Sequence, residues 1–480
     1  MTYLPTDEVS AVRDRLGHPV IDSDGHLIEY LPLVRDFIDE DAGTDLAAVF
    51  EKMSNTADRR RAVPDRAKRR DLGIHATAVW GIPAANTLDR ATCMLPDLMY
   101  KRLDEIGVDF AVLYPTYGLT VTQLAHDELR RALARALNRY YAEVYGPYGD
   151  RLAPVAAIPM FTPEEAVAEL DHAVGELGLK AVMMGGVIPR TLAGGGRWMD
   201  TLGHDSPYDY DPVWQRCEEL GVTPTFHSGG QGWGSRMSTV NNSYNQVGNF
   251  AAADEAVCRS LVFGGVPARF PNLHFAFQEG GVAWAAALLA GIVGHWEKRN
   301  SEAIQHYNPA RMDRDLLRTL FRRHATGPVA DRIDRLETGL AMHSDPDELP
   351  QDIDQFGESL LTSAQDVLDL FSTRFSFGCE ADDPMNALAF SADLNPGGVT
   401  LPAVFASDVG HWDVRDIRDV LPEAYELVER HQIDEAQFRD FVFANPVRLW
   451  TSMNRSFFRG THVEDAVDKL LAAPQPEAAH

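Results

Sequence analysis

Val20-Ile21-Asp22-Ser23-Asp24-Gly25-His26-Leu27-Ile28-Glu29 is an apolar strand start that runs directly into three acids and a histidine. On a β-strand successive side chains alternate between faces, so Asp22, Asp24 and His26 are expected to point the same way. Glu29 follows just past the strand end, where a loop can turn it inward. One face crowded with such groups reads as the first half of a metal site. The plainer alternative is a polar strand end with a satisfied histidine, and the remaining chain has to decide between them.

Outward from this stretch the chain repeats a strand-then-helix rhythm. Further strands are predicted over Val108 to Tyr114, Pro154 to Pro159, Leu179 to Met184, Val222 to Phe226, Leu273 to Phe277, Arg374 to Gly378 and Ala403 to Ser407. Thr162-Pro163-Glu164-Glu165 is a helix start, with a Thr N-cap, Pro at the first helical position and Glu at the third. Eight strands are the number a closed (β/α)8 barrel needs, although periodicity alone leaves an open doubly wound sheet as an alternative. Residues 30–100 form a long polar excursion after the first strand, whose Asp65 to Asp71 charge run reads as a solvated helix face. Between the sixth and seventh strands the connection is far longer than an ordinary βα loop, so residues 300–370 read as an inserted helical subdomain. The end of the chain, Ala472 to His480, is expected to be disordered.

Composition narrows the function classes. With 44 basic against 71 acidic residues in 480, the net charge of −27 opposes binding to nucleic acid or to anionic membranes. No apolar run reaches the length of a membrane span, and the N-terminus lacks the basic and apolar regions of a secretory signal, so the expected location is the cytoplasm. Cys93, Cys217, Cys258 and Cys379 stand alone, without a Cys-x-x-Cys pair, and read as reduced core thiols. The glycines at 185–186 and 194–196 lack the order of a dinucleotide fingerprint. A chain of this size is expected to be a homodimer acting on a small molecule.

In barrels the active site is built at the carboxyl ends of the strands. Asp24, His26, Glu29, His227, Glu279 and Asp408 collect there. Four carboxylates and two imidazoles at one mouth need neutralising, which points to a metal ion, and two ions suit the number of carboxylates. His411 and His75 are the candidate acid/base groups.

Several of these segments together resemble the amidohydrolase-2 family, which includes aminocarboxymuconate semialdehyde decarboxylase. The resemblance rests on Ile21-Asp22-Ser23-Asp24-Gly25-His26, where the family has I-D-x-H-x-H, and on Thr225-Phe226-His227-Ser228-Gly229. It rests also on Phe270-Pro271-Asn272-Leu273 leading to Glu279-Gly280-Gly281, on Phe405-Ala406-Ser407-Asp408 with His411, and on Asn445-Pro446-Val447-Arg448-Leu449. It implies a single domain, a distorted (β/α)8 TIM barrel of amidohydrolase type with a helical insertion. It also implies a divalent metal held by Asp24, His26, His227 and Asp408. Asp24 and Glu279 depart from the family pattern by placing carboxylate where imidazole is usual. Harder ligands favour iron or manganese over zinc.

That ligand inventory is similar to carboxylate-bridged di-iron centres, and to a branch of the fold containing a hydroxylase of platensimycin-type diterpenoid biosynthesis. The expectation is therefore a non-haem di-iron monooxygenase with two ions, iron first and manganese or zinc as alternatives. It would hydroxylate a largely apolar molecule with electrons from a separate reductase. The competing expectation is a metal-dependent hydrolase or non-oxidative decarboxylase.

Overall fold

The computed structural model describes residues 3–54, 62–77, 84–343, 353–411 and 413–473. Among the described residues ten strands follow in chain order: β1 (Ile21–Leu27), β2 (Phe110–Pro115), β3 (Leu152–Ile158), β4 (Ala181–Met184), β5 (Ile188–Thr191), β6 (Arg197–Asp200), β7 (Pro224–Phe226), β8 (Phe275–Phe277), β9 (Phe375–Glu380) and β10 (Ala403–Ala406). Eight of them form one parallel sheet in the order β1-β2-β3-β4-β7-β8-β9-β10. Beyond β10 the Asp408 amide donates to the Asp24 carbonyl and the His26 amide to the Val409 carbonyl, both at 3.0 Å. These bonds join the first and last strands, so the sheet curls into a nearly closed barrel with helices around it.

The eight barrel strands coincide with the eight expected from sequence; seven begin as largely apolar runs buried on both faces, and β1 is equally buried although it carries Asp22, Asp24 and His26. The antiparallel hairpin β5–β6 was not anticipated; its turn contains Gly195 and Gly196, at φ of +84° and +90°. β1 departs from regular alternation. Asp22 pairs with Ala111 but Gly25 with Leu113, so one extra residue of β1 is accommodated in between. Asp22 is thereby turned out of step with Asp24 and His26, contrary to the expected shared face. It accepts hydrogen bonds from the Ser407 amide at 3.0 Å, the Ser407 hydroxyl at 2.5 Å and the Asp24 amide at 3.2 Å.

The helices are set by the cues their sequences carry. Thr162 caps helix Pro163–Leu170, accepting from the Glu165 amide. Helix Asp127–Tyr145 buries Leu129, Leu133, Leu137 and Tyr141, a stripe at four-residue spacing that packs on the barrel. Asn445, in the closing helix Asn445–Ser452, donates to the Ala403 carbonyl at 2.9 Å and ties that helix to the start of β10. In the 300–370 stretch, residues 300–343 form short helices, of which Arg314–His324 buries no residue; residues 344–352 lie outside the described residues, as do 474–480 of the tail. Among the described residues no helix is long and apolar enough to cross a membrane.

Candidate metal centre

The carboxyl ends of four strands bring the predicted groups together. Asp24 and His26 project from β1, His227 follows β7 directly, and Glu279 and Asp408 each stand two residues past a strand, β8 and β10. Glu279 and Asp408 hold left-handed backbone, at φ of +61° and +49°, unusual for residues with a side chain. His26 Nε2 lies 3.5 Å from Asp24 Oδ1 and 3.4 Å from Asp408 Oδ1. His227 Nε2 lies 3.1 Å from Glu279 Oε2 and 3.9 Å from Asp24 Oδ2.

These spacings test whether the residues fit a metal. Metal–ligand bonds of about 2.0–2.2 Å place neighbouring donor atoms about 3.0–3.5 Å apart. Asp24 Oδ1, His26 Nε2, His227 Nε2 and Glu279 Oε2 are all buried, and none has a hydrogen-bond partner among the described residues. Buried polar atoms are seldom left unpaired. Facing one another at ligand spacing, they form a set that fits a divalent ion. Asp24, His26 and His227 could hold one, and His26, Glu279, Asp408 and His411 form an overlapping group of the same kind.

Electrostatics agrees with that fit. Burial holds His26 well below the ordinary imidazole range, with His411 and His227 adding to the effect, and it lowers His227 to about 3. Both rings are therefore neutral near pH 7, the form that binds metal. The carboxylates move the other way. Burial, then the charges of Asp408 and Asp22, push Asp24 well above its usual range, and burial raises Asp408 to about 7. Glu279 is also raised well above normal, by burial and then by Asp408 and Glu380. A cation among these groups would reverse the shifts by favouring their charged forms.

The structure does not bring Glu29 into this cluster, contrary to the expectation that it binds metal. The residue is 3% exposed and belongs to none of the groups able to hold an ion. Oε1 accepts from the Gly118 amide and the Tyr141 hydroxyl, and Oε2 from the Tyr117 amide, each at 2.8 Å. His75 likewise stands outside the groups able to hold an ion; its ring packs against the backbone of Gly232 in the glycine-rich loop after β7. His411 is at the centre, with Nδ1 2.6 Å from Asp408 Oδ1, Nε2 3.2 Å from Thr116 Oγ1, and its ring centroid 3.8 Å from that of His26.

Two acids at the mouth were missed. Glu380 ends β9, and Asp413 follows in the loop after β10; together with Glu279 they form a third group of possible ligands. Burial and the charges of Asp408 and Asp413 raise Glu380 to about 9. Burial of its carboxyl beside Asp408 raises Asp413 to about 8, although the residue as a whole is exposed. Glu380 had a signal, an acid at the end of Phe375-Ser376-Phe377-Gly378-Cys379, the same topological position as Glu279 and Asp408. Asp413 depends on a loop path that no local pattern reveals.

Comparison with known proteins adds to this geometry. The sequence model of the amidohydrolase family matches residues 21–337. The chain is 29% identical over 191 residues to a 2-amino-3-carboxymuconate-6-semialdehyde decarboxylase of Dictyostelium discoideum, covering 40% of this chain and 49% of that protein. It is also 29% identical over 133 residues to a gamma-resorcylate decarboxylase of Rhodococcus jostii, covering 28% of this chain and 39% of the relative. The chain thus spans half or less of the length of these curated relatives. In fold it is similar to a solved amidohydrolase from Mycobacterium avium subsp. paratuberculosis, with a TM-score of 0.52 at 18% identity, covering 91% of this chain and all of that one. Both curated relatives are decarboxylases, and this corrects the expectation of a di-iron monooxygenase in favour of its competitor. With oxygenase chemistry goes the reason for putting iron first, and Glu29, one of the carboxylates counted in the bridged-pair inventory, is occupied by backbone amides and Tyr141.

Proposed function

The chain belongs to the amidohydrolase family, and from that premise we propose that it is a divalent-metal-dependent decarboxylase that removes CO2 from a small carboxylic acid without oxidation. The observation that carries this reading is the convergence of the unpartnered Asp24, His26, His227 and Glu279 donors at one barrel mouth. The decarboxylase relatives support the reaction class. Both of their named substrates are small carboxylic acids.

Asp24, His26, His227 and Asp408 would hold the ion, and two of the four, Asp24 and His26, stand on β1 itself. Mixed imidazole and carboxylate ligands suit manganese, with zinc as the competitor. When bound, the ion supplies Lewis acidity toward substrate oxygen atoms. In the reaction the C–C bond to the carboxylate breaks, CO2 leaves, and the bonding pair stays on the substrate carbon. That carbon then takes up a proton, so the overall change is redox-neutral and requires no reductase. His411 is the residue for this proton transfer. Its Nδ1 contact with Asp408 fixes the ring, while Thr116 holds its other edge. The low floor of the site is set by Tyr114, whose hydroxyl donates to Thr225 Oγ1 at 2.7 Å and accepts from Gln278 Nε2 at 2.9 Å.

The test is CO2 release from gamma-resorcylate and a panel of related hydroxybenzoates and amino-substituted unsaturated acids, using protein stripped by chelator and reloaded with Mn2+ or Zn2+. Release that requires the metal and disappears in His227→Ala supports the reading. Absence of CO2 from every acid with metal-loaded, folded protein overturns it.

A further inference from the structure

We propose that helix Arg314–His324 of the insertion is a dimerisation surface, pairing antiparallel with the same helix of a second copy of this chain about a two-fold axis near Thr319. The helix buries none of its residues. Leu317 and Phe321 are half-buried and mark its inner side, whereas Leu316, Thr319, Leu320 and Arg323 recur at three- and four-residue spacing and share the outer face. Leu316 and Leu320 are 54 and 43% exposed there, and Met312, four residues before Leu316, is 37% exposed. Single exposed leucines are ordinary. An apolar row along a helix that has no buried residue of its own is instead the seam of a helix pair.

Charge identifies the occupant as a second copy. The helix opens on acids, Asp313 as N-cap and Asp315 in the first turn, and ends on Arg322, Arg323 and His324. An antiparallel copy reverses that order. With the axis near Thr319, Asp315 of one copy stands level with Arg322 and Arg323 of the partner subunit, and the symmetry repeats the contact. Arg318 already pairs with Asp315 and Glu337, but Arg322 and Arg323 form no ion pair among the described residues. The alignment also opposes the two helix dipoles, which favours it. Two bodies of net charge −27 repel each other, and they repel least where the surface is basic: residues 311–323 hold five arginines against two aspartates. One helix pair covers less than the about 800 Å² per partner of a tight complex, so the dimer dissociates on dilution.

Sedimentation equilibrium of the full-length protein over a dilution series reads the dimer Kd. Leu316→Glu/Leu320→Glu should remain monomeric throughout. Asp315→Arg alone, and Arg322→Asp/Arg323→Asp, should each raise Kd about tenfold or more, because reversed charges then face like charges across the axis. The two reversals combined should bring Kd back toward the wild type, a recovery that only an antiparallel pairing of these residues gives. All the substituted residues are exposed, so the variants should melt with the wild type, which separates loss of the interface from misfolding. A second readout is Thr319→Cys. The four native cysteines are buried, so the added thiol alone is exposed, and mild oxidation should join two copies through it. A wild type that is monomeric at every concentration overturns the proposal, as does a dimer indifferent to these substitutions or one that the combined reversal fails to restore. A monomer that instead sediments with phosphatidylserine vesicles, and no longer does so as Leu316→Glu/Leu320→Glu, would overturn it in favour of a membrane surface.

Discussion

Glu29 and Asp24 are both acids of the same ten-residue stretch, both almost fully buried, yet their surroundings give them opposite duties. Asp24 faces His26 Nε2 at 3.5 Å and His227 Nε2 at 3.9 Å, and its Oδ1 has no hydrogen-bond partner among the described residues. Glu29 faces three donors, the amides of Tyr117 and Gly118 and the hydroxyl of Tyr141, and so pins the turn after β2 to the end of β1. Burial still raises the Glu29 pKa above normal despite these bonds. The Glu29→Ala variant should therefore keep the full metal content of the wild type. It should lose stability by about 3 kcal/mol or more, because two backbone amides and a hydroxyl are stranded without acceptors. Metal analysis and thermal melts on the same preparation check both halves. Loss of an ion at unchanged melting temperature would return Glu29 to the metal site.

At the scale of the element, the irregularity of β1 separates Asp22, which accepts hydrogen bonds from Ser407, from Asp24, which faces His26 and His227. Gly25 makes this possible: a Cβ there would stand 2.6 Å from Asp22 Oδ2, 3.2 Å from Leu113 Cδ2 and 3.3 Å from Ser407 Oγ. Gly25→Ala should push Asp22 off Ser407, destabilise the protein by about 1–3 kcal/mol, and weaken Mn2+ binding at the adjacent Asp24. Gly17→Ala, where no atom lies within 4 Å, is the control. Equal melting temperature and Mn2+ affinity in the two variants would refute this role for Gly25. The same strand shows what a sequence can reveal. Each barrel strand was legible because its apolar run is bounded by turns, and His26, His227, Glu279 and Asp408 were legible because each stands at or just beyond such a run. The extra residue in β1 was not, since a bulge is fixed by the register against β2 and leaves the apolar pattern unchanged. Glu29 was misread for a related reason: the residues that occupy it, Tyr117, Gly118 and Tyr141, are about ninety or more positions away in the chain.

At the scale of the whole molecule, the barrel concentrates titratable groups whose shifts have opposite signs, and the pH dependence of stability follows from them. Asp408, Asp413 and Glu380 have folded pKa values near 7, 8 and 9, against about 4 in the unfolded chain. Between those limits the folded protein binds more protons than the unfolded one, so these acids make stability fall as pH rises. His26 and His227 are lowered from about 6.5, and across the interval below 6.5 the unfolded chain holds the extra protons, so they make stability rise with pH there. The two trends oppose each other in mild acid. At pH 6.5 each unfolded imidazole holds about half a proton and by about pH 7.5 nearly none, so from there upward the three acids, which still titrate, outweigh them. Metal-free protein should therefore lose melting temperature steadily from pH 7.5 to 9. Divalent metal binds the deprotonated carboxylates, so its affinity increases over the same interval. Melts in Mn2+ should consequently be flatter, with the gap between loaded and stripped protein widest at pH 9. A metal-free melting temperature that is constant or rising from pH 7.5 to 9 would mean that the mouth's carboxylates are ionised in the folded protein without a cation, which the packing of Glu279, Glu380, Asp408 and Asp413 against one another argues against.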